Sequence, residues 1–313
     1  MSGPTLVTGA AGFAGSHLLD QLAADALDIV GWHRPGGHPP RLVPGVRWQA
    51  VDMMDRDAVR DAINRVRPAV VFHLAGAAHV GQSWDTTTET LRSNVLGTHH
   101  LVEALRAAAP KAKLLITSSA LVYRPSLDAI HEMYPLQPAN PYGVSKIAQE
   151  LVGSGNGGHP PAFIARPFNH FGPRQDASFV SAAFARQIAE IEAGLRPADI
   201  HVGNLDALRD LTDGRDTVRA YRLIVERGVP GRPYNVCTGT AIAVHALLDL
   251  LVARARVPVR VVPDPARYRP NDSPLVLGDP SRASRELGWT PRIPIEQTVG
   301  DLLDYWRAQV RLA

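Results

Sequence analysis

Cysteine occurs once in 313 residues, as Cys237. That excludes an internal disulfide, and without a CxxC pair or a histidine-rich companion it excludes a structural zinc site as well. Cys237 is expected to be a small buried apolar residue. No apolar run approaches the ~18 residues that a membrane helix needs, and Met1-Ser-Gly-Pro4 runs straight into a strand rather than a signal segment. A cytoplasmic protein with no membrane partner is expected. Charge of one sign is also not concentrated anywhere: 33 basic and 30 acidic residues give a formal charge of +3, with arginines scattered and no interleaved aromatics. Nucleic acid is therefore disfavoured as a partner, and a small anionic substrate is favoured. Lysine is scarce, with three against 30 arginines. A chain so biased keeps lysine where a compact point charge is wanted.

What is present is a βα alternation. Thr5-Leu-Val-Thr-Gly9 is a short apolar run, and helical spacing follows from Gly15 to Leu22. Glycines at 9, 12 and 15 allow a tight turn, a close approach to a pyrophosphate and helix-on-strand packing, with the helix N-terminus facing the phosphates. The second strand, Asp28 to His33, ends at His33-Arg34, where an NAD-binding unit places an acid on the ribose. Arginine there favours a 2′-phosphate, hence NADP(H), with NAD(H) as the alternative. Further strands are expected at Trp48–Asp52, Ala69–Leu74, Leu114–Thr117 and Ala162–Ala165, with helices at Ala58–Val66 and, unbroken, Thr86–Ala109.

Tyr142-Gly-Val-Ser-Lys146 opens a helix that starts at Pro141, a favoured first helical position. One turn separates phenol and ammonium and puts them on one face. The charge is expected to lower the phenol's pKa and make it a usable acid/base. Ser118 and Ser119 end the preceding strand, where open α/β sheets bind ligands. His79, taken alone, reads as an ordinary loop histidine.

After Arg166-Pro-Phe-Asn169 the βα rhythm fades, apart from a helix at Phe179–Glu192, a core strand at Tyr234–Val236 and an amphipathic helix at Ile295–Gln309. The reading is a doubly wound parallel Rossmann domain over residues 1–167, with a returning strand near 233–237, and a smaller cap over 168–313 that closes on a second ligand.

Together, Thr8-Gly-Ala-Ala-Gly-Phe-Ala-Gly15, Asp52, His73-Leu-Ala-Gly76, Asn94, Ser118-Ser119, Tyr142-x-x-x-Lys146 and Arg166-Pro-Phe-Asn169 resemble an extended short-chain dehydrogenase/reductase acting on nucleotide sugars. Phe168-Asn-His-Phe-Gly-Pro-Arg-Gln175, Arg209-Asp210, Asp213, Asp216, Arg269-Pro-x-Asp272 and Leu287-Gly-Trp289 look most like its GDP-mannose branch, the 4,6-dehydratases and the related GDP-4-keto-6-deoxymannose reductases. The resemblance implies a catalytic set of Ser119, Tyr142 and Lys146. It assigns Gly9, Gly12, Phe13, Ala14, Gly15, His33, Arg34, Asp52, Met53, Leu74, Ala75, Gly76, Asn94, Thr117 and Pro167, with Tyr142 and Lys146, to the cofactor. It assigns His79, Ser119, Ala120, Leu121, Asn169, Phe179, Val180, Arg186, Asn204, Arg209, Arg269 and Asp272 to the GDP-sugar. It also implies a homodimer or higher homo-oligomer through the Thr86–Ala109 and Pro141–Val152 helices, and no metal.

One departure divides the branch. Leu121 stands where dehydratases carry a glutamate that takes the sugar's C5 proton. Leucine accepts no proton, and elimination without that base forfeits roughly 10²–10⁴-fold. A 4-keto reduction giving a GDP-deoxysugar such as GDP-rhamnose needs only the groups present. Alternatives are a GDP-sugar epimerase or dehydratase with recycled NADP, or a non-catalytic nucleotide-sugar or NADP-binding protein. Arg124, where the family shows glycine, has no role readable in the sequence.

Overall fold

Four buried residues, Thr5–Thr8, make the first strand, β1, and their side chains alternate between two cores: Leu6 joins one and Val7 the other. The same division recurs at Val71 and Phe72 and at Leu114 and Leu115, as expected for parallel strands covered on both faces. The computed structural model describes residues 3–25, 27–37, 42–155, 158–268 and 273–312.

The chain continues through α1 (Phe13–Ala24), β2 (Ile29–His33), β3 (Val46–Ala50), α2 (Arg56–Val66) and β4 (Val70–His73). Then come α3 (Thr87–Leu91), α4 (Gly97–Ala108), β5 (Lys113–Thr117), α5 (Pro141–Ser154) and β6 (Ala162–Pro167). The second half contains β7 (Asn169–Phe171), α6 (Val180–Glu192), β8 (Asp199–Val202), β9 (Leu208–Asp213), α7 (Gly214–Arg227) and β10 (Pro233–Val236). It ends with β11 (Ala241–Ala243), α8 (Val244–Val252), β12 (Arg260–Pro263), β13 (Leu275–Val276) and α9 (Ile295–Leu312).

Seven parallel strands form the central sheet in the order β10-β6-β5-β4-β1-β2-β3. The order reverses between β1 and β4, so their carboxyl ends open the crevice in which such sheets bind ligands. One core holds α1 and α7 against the sheet, the other holds α2 and α4. A separate core lies under α6, α8 and α9 and against β8. Cys237 is fully buried, in a small cluster with Tyr123 and Phe168. Among the described residues no helix is long and apolar enough to cross a membrane.

Several boundaries differ from the sequence reading. β3 begins and ends two residues early, because Asp52 turns the chain by accepting from the Met54 N–H at 2.9 Å. α2 begins two residues early, where Asp55 caps it through the N–H groups of Asp57 and Ala58, each at 3.0 Å. The helix expected over Thr86–Ala109 is not uniform: a π-helical turn, Arg92–Leu96, divides α3 from α4. Helix α7, which the sequence reading did not separate from the cap, packs against α1 and β6, and Trp289 joins the same core, so much of the later chain returns to the first sheet.

Candidate active site

The Gly9–Gly15 loop follows β1. Gly9 has φ +65°, and a Cβ there would stand 2.8 Å from the Ala75 N, while one on Gly15 would overlap the Gly9 carbonyl. Bare backbone is therefore required on both sides of the turn. Gly12 caps α1 without any side-chain hydrogen bond, which leaves the helix's first N–H groups for a ligand. Phe13 stacks on His170 at 5.7 Å, and Ala14 packs against the first core. These features fit the pyrophosphate of a dinucleotide.

At the end of β2, His33 donates from Nδ1 to the Arg34 carbonyl at 2.9 Å and lies 6.1 Å from Trp48. Arg34 and Asp52 are exposed on the same edge, with Met53 partly buried beside them. Leu74, Ala75 and Gly76 follow β4, and the Ala75 N–H donates to Thr8 Oγ1 at 3.2 Å. Asn94, fully buried in the π turn, accepts from the Ala77 N–H at 2.8 Å and donates to Ser145 Oγ at 2.8 Å. The wide turn aims that side chain inward and ties the loop after β4 to α5 beside Lys146. Thr117 donates to the His73 carbonyl at 2.9 Å, and Pro167 closes β6.

Asn140 caps α5 by accepting from the Gly143 N–H at 2.8 Å, with Pro141 first in the helix, so Tyr142 emerges in the first turn. Its phenol hydrogen-bonds Ser119, whose Oγ also accepts from the Leu121 N–H at 3.2 Å and starts the short turn Ala120–Val122. Lys146, buried, donates to the Thr117 carbonyl at 2.9 Å and to Gln149 Oε1 at 2.8 Å, with its Nζ 5.6 Å from the Tyr142 ring centre. The expected lowering of the phenol's pKa is not found. Burial pushes Tyr142 up to about 12, only partly opposed by Ser119, and burial pulls Lys146 down to about 8. Desolvation dominates, and the phenol is protonated at neutral pH.

Two buried carboxylates of this region are committed. Glu150 forms a fork with Arg166 at 2.8 and 2.7 Å, and Glu132 accepts from the Asn235 N–H at 3.0 Å and faces Arg282 at 3.4 Å. Leu121 carries no acid. Arg124 lies over the Tyr134 ring at 5.5 Å, which accounts for its position.

Of the residues expected on the sugar nucleotide, His79 and Phe179 meet in a stack at 5.0 Å, joining the loop after β4 to the start of α6, where Val180 is exposed. Ser178 Oγ lies 3.3 Å from His79 Nδ1. Asn169 is exposed on β7. Arg186 is committed to Glu190 at 2.6 Å and lies over Trp306 at 5.8 Å. Asn204 Oδ1 accepts from the Asp206 N–H at 3.0 Å. Arg209 Nη1 donates to the Ser273 carbonyl at 2.8 Å; Arg269 and Asp272 lie outside the described residues. The sequence reading missed Gln149. Its spacing three residues after Lys146 was the available signal.

The family described as GDP-mannose 4,6 dehydratase matches residues 6–302. The chain is 37% identical to a GDP-6-deoxy-D-mannose reductase of Pseudomonas aeruginosa, over 97% of both chains. It superposes on the structure of RMD from Pseudomonas aeruginosa complexed with NADPH with a TM-score of 0.85 at 34% identity, covering 98% of this chain and 100% of that one. A UDP-glucose 4-epimerase of Thermus thermophilus complexed with NAD gives 0.86 at 28%, covering 97% and 99%.

Proposed function

This chain belongs to the GDP-mannose 4,6 dehydratase family, and from that premise we propose that it is an NADPH-dependent reductase of the 4-keto group of a GDP-4-keto-6-deoxyhexose, yielding a GDP-deoxysugar such as GDP-rhamnose. The observation that carries this reading is a protonated Tyr142 hydrogen-bonded to Ser119, in a turn where Leu121 replaces the base that dehydration requires. Similarity to the GDP-6-deoxy-D-mannose reductase supports the choice of substrate.

Bound NADPH supplies a hydride equivalent. The chain's own work is to hold the ketone and deliver a proton. Ser119 and Tyr142 together donate to the carbonyl oxygen as charge develops on it, and the phenol, charged only near pH 12, surrenders its proton to that oxygen. Lys146 holds positive charge near the phenol and, with NADPH bound, would donate its remaining N–H to the nicotinamide ribose. Arg34, exposed at the end of β2, suits the 2′-phosphate, since its planar fork can donate two parallel hydrogen bonds. His79, Phe179, Asn169 and Arg209 border the sugar-nucleotide side. Residues 1–167, with α7 and β10, hold the cofactor, and the cap built on α6, α8 and α9 holds the GDP-sugar.

A homodimer accounts for the exposed Leu96, Val144 and Leu151 on the α3–α4 and α5 helices; light scattering at the monomer mass would reject it. The reaction is tested with NADPH dideuterated at the nicotinamide C4. One deuterium at C4 of the product sugar is expected, and product without label at C4 would reject the reading.

A further inference from the structure

Under the catalytic pair lies a buried polar chain that runs from Lys146 through Gln149, Thr98 and His73 to Thr8. Gln149 Nε2 approaches Thr98 Oγ1 at 3.0 Å, His73 Nε2 approaches the same oxygen at 2.8 Å, and Thr8 Oγ1 lies 2.8 Å from His73 Nδ1. Gln149, Thr98 and Thr8 have no exposed surface, and His73 has 1%.

The donors in this chain can be assigned one by one. Thr98 spends its only hydroxyl hydrogen on the Asn94 carbonyl at 2.7 Å, in the π turn. Both groups facing Thr98 Oγ1 must therefore donate: His73 through Nε2–H and Gln149 through its amide NH₂. With Nε2 protonated on a neutral ring, His73 Nδ1 accepts, and Thr8 donates to it. Burial keeps that ring neutral, pulling its pKa to about 3. The Gln149 amide cannot be turned round, because its oxygen would then face an oxygen without a hydrogen and its NH₂ would face an ammonium. The chain forces an acceptor onto Lys146.

We propose that Gln149 is the positioning residue for the Lys146 ammonium, fixing its place and holding it in the charged form. This rests on the reductase reading only for what Lys146 then does. Lys146 has three donors, and Gln149 and the Thr117 carbonyl take two, which directs the third. A buried ammonium stays charged only where acceptors replace lost water. The other charged or titratable groups around it are Glu150 on its own helix, which is paired with Arg166, Tyr142 across one turn, and the neutral His73. None of these is an acceptor bonded to its Nζ.

The test uses the three lysines of this chain. Lysine labelled with ¹³C at Cε gives three signals, and Lys146→Met identifies the one of interest. In Gln149→Met the Lys146 titration midpoint should fall by a unit or more. In Gln149→Glu, whose second oxygen must draw the Thr98 hydroxyl hydrogen away from the Asn94 carbonyl, a full charge sits on the same acceptor and the midpoint should rise by a unit or more. NADPH affinity at pH 7.5, read by fluorescence, should weaken about tenfold in Gln149→Met and be kept in Gln149→Glu. Thermal unfolding reports whether each variant is folded, and if Gln149→Met is not, the opposite shift expected of Gln149→Glu decides alone. Midpoints in both variants that coincide with the wild type would overturn the assignment. The titration needs neither cofactor nor substrate, so flat titrations with active wild type reject the role of Gln149. Wild type that oxidises no NADPH rejects the reductase reading instead.

Discussion

A Cβ on Gly143 would overlap the carbonyl oxygen of Leu121, so α5 and the turn after Ser119 touch backbone to backbone beside the phenol of Tyr142. That contact sets how Tyr142 meets Ser119. Gly143→Ala must push the two segments apart, and a displacement near 1 Å costs on the order of 10²-fold in rate. The expected outcome is a fall of that order in kcat for NADPH oxidation, with NADPH affinity within about threefold of wild type. Unchanged kcat would mean that the contact does not position the pair.

The pH profile follows from the two shifts. Lys146, brought down to about 8, is charged below that pH and neutral above it, whereas Tyr142, at about 12, keeps its proton throughout the working range. Raising the pH removes the ammonium before it removes the phenol's proton. kcat/KM for NADPH should be level from pH 6 to 7 and fall toward tenfold per pH unit above about 8. A profile level to pH 10 would contradict it.

Arg34 is expected to choose the cofactor. Replacing it with alanine removes a charge-assisted partner of the 2′-phosphate, an interaction worth about 1.5–3 kcal/mol. NADPH should bind roughly 10- to 100-fold more weakly while NADH changes little. Calorimetric titration with both cofactors checks this, and an equal loss for both would place the 2′-phosphate elsewhere.

Arg166 and Glu150 are 5% and 8% exposed and bound in a two-bond fork, with Arg166 Nη1 also donating to the Tyr123 hydroxyl at 3.0 Å. Arg166→Met leaves a buried carboxylate without its counter-charge. Loss of one partner of such a pair costs about 3–5 kcal/mol, to be read from urea unfolding. Destabilisation below about 1 kcal/mol would show that Glu150 finds another partner or takes up a proton.

The first sheet was legible because each βα unit carries its own signal: an apolar run, a breaker and a helical period, as at Thr5–Gly9 and Pro141–Lys146. The π turn at Arg92–Leu96 left no such signal, since one widened turn barely alters the apolar period, yet it places Asn94. The return of α7 to the first sheet is a matter of tertiary packing, with Tyr221 and Ile224 buried against β6 and α1 rather than in the cap. The raised phenol of Tyr142 was missed because residue spacing gives the distance to Lys146 and not the depth of burial. Gln149 was overlooked because a glutamine in a helix does not announce whether it faces solvent or an ammonium.

The central claim is tested most directly by following nicotinamide absorbance with purified protein, NADPH and GDP-4-keto-6-deoxymannose generated in situ, beside a control with GDP-mannose alone, for wild type and Tyr142→Phe. Rapid NADPH loss is expected only with the keto-sugar, reduced roughly 10²–10⁴-fold in Tyr142→Phe while NADPH affinity stays within a few-fold. Turnover of GDP-mannose in the control without net loss of NADPH, or an active Tyr142→Phe, would contradict it.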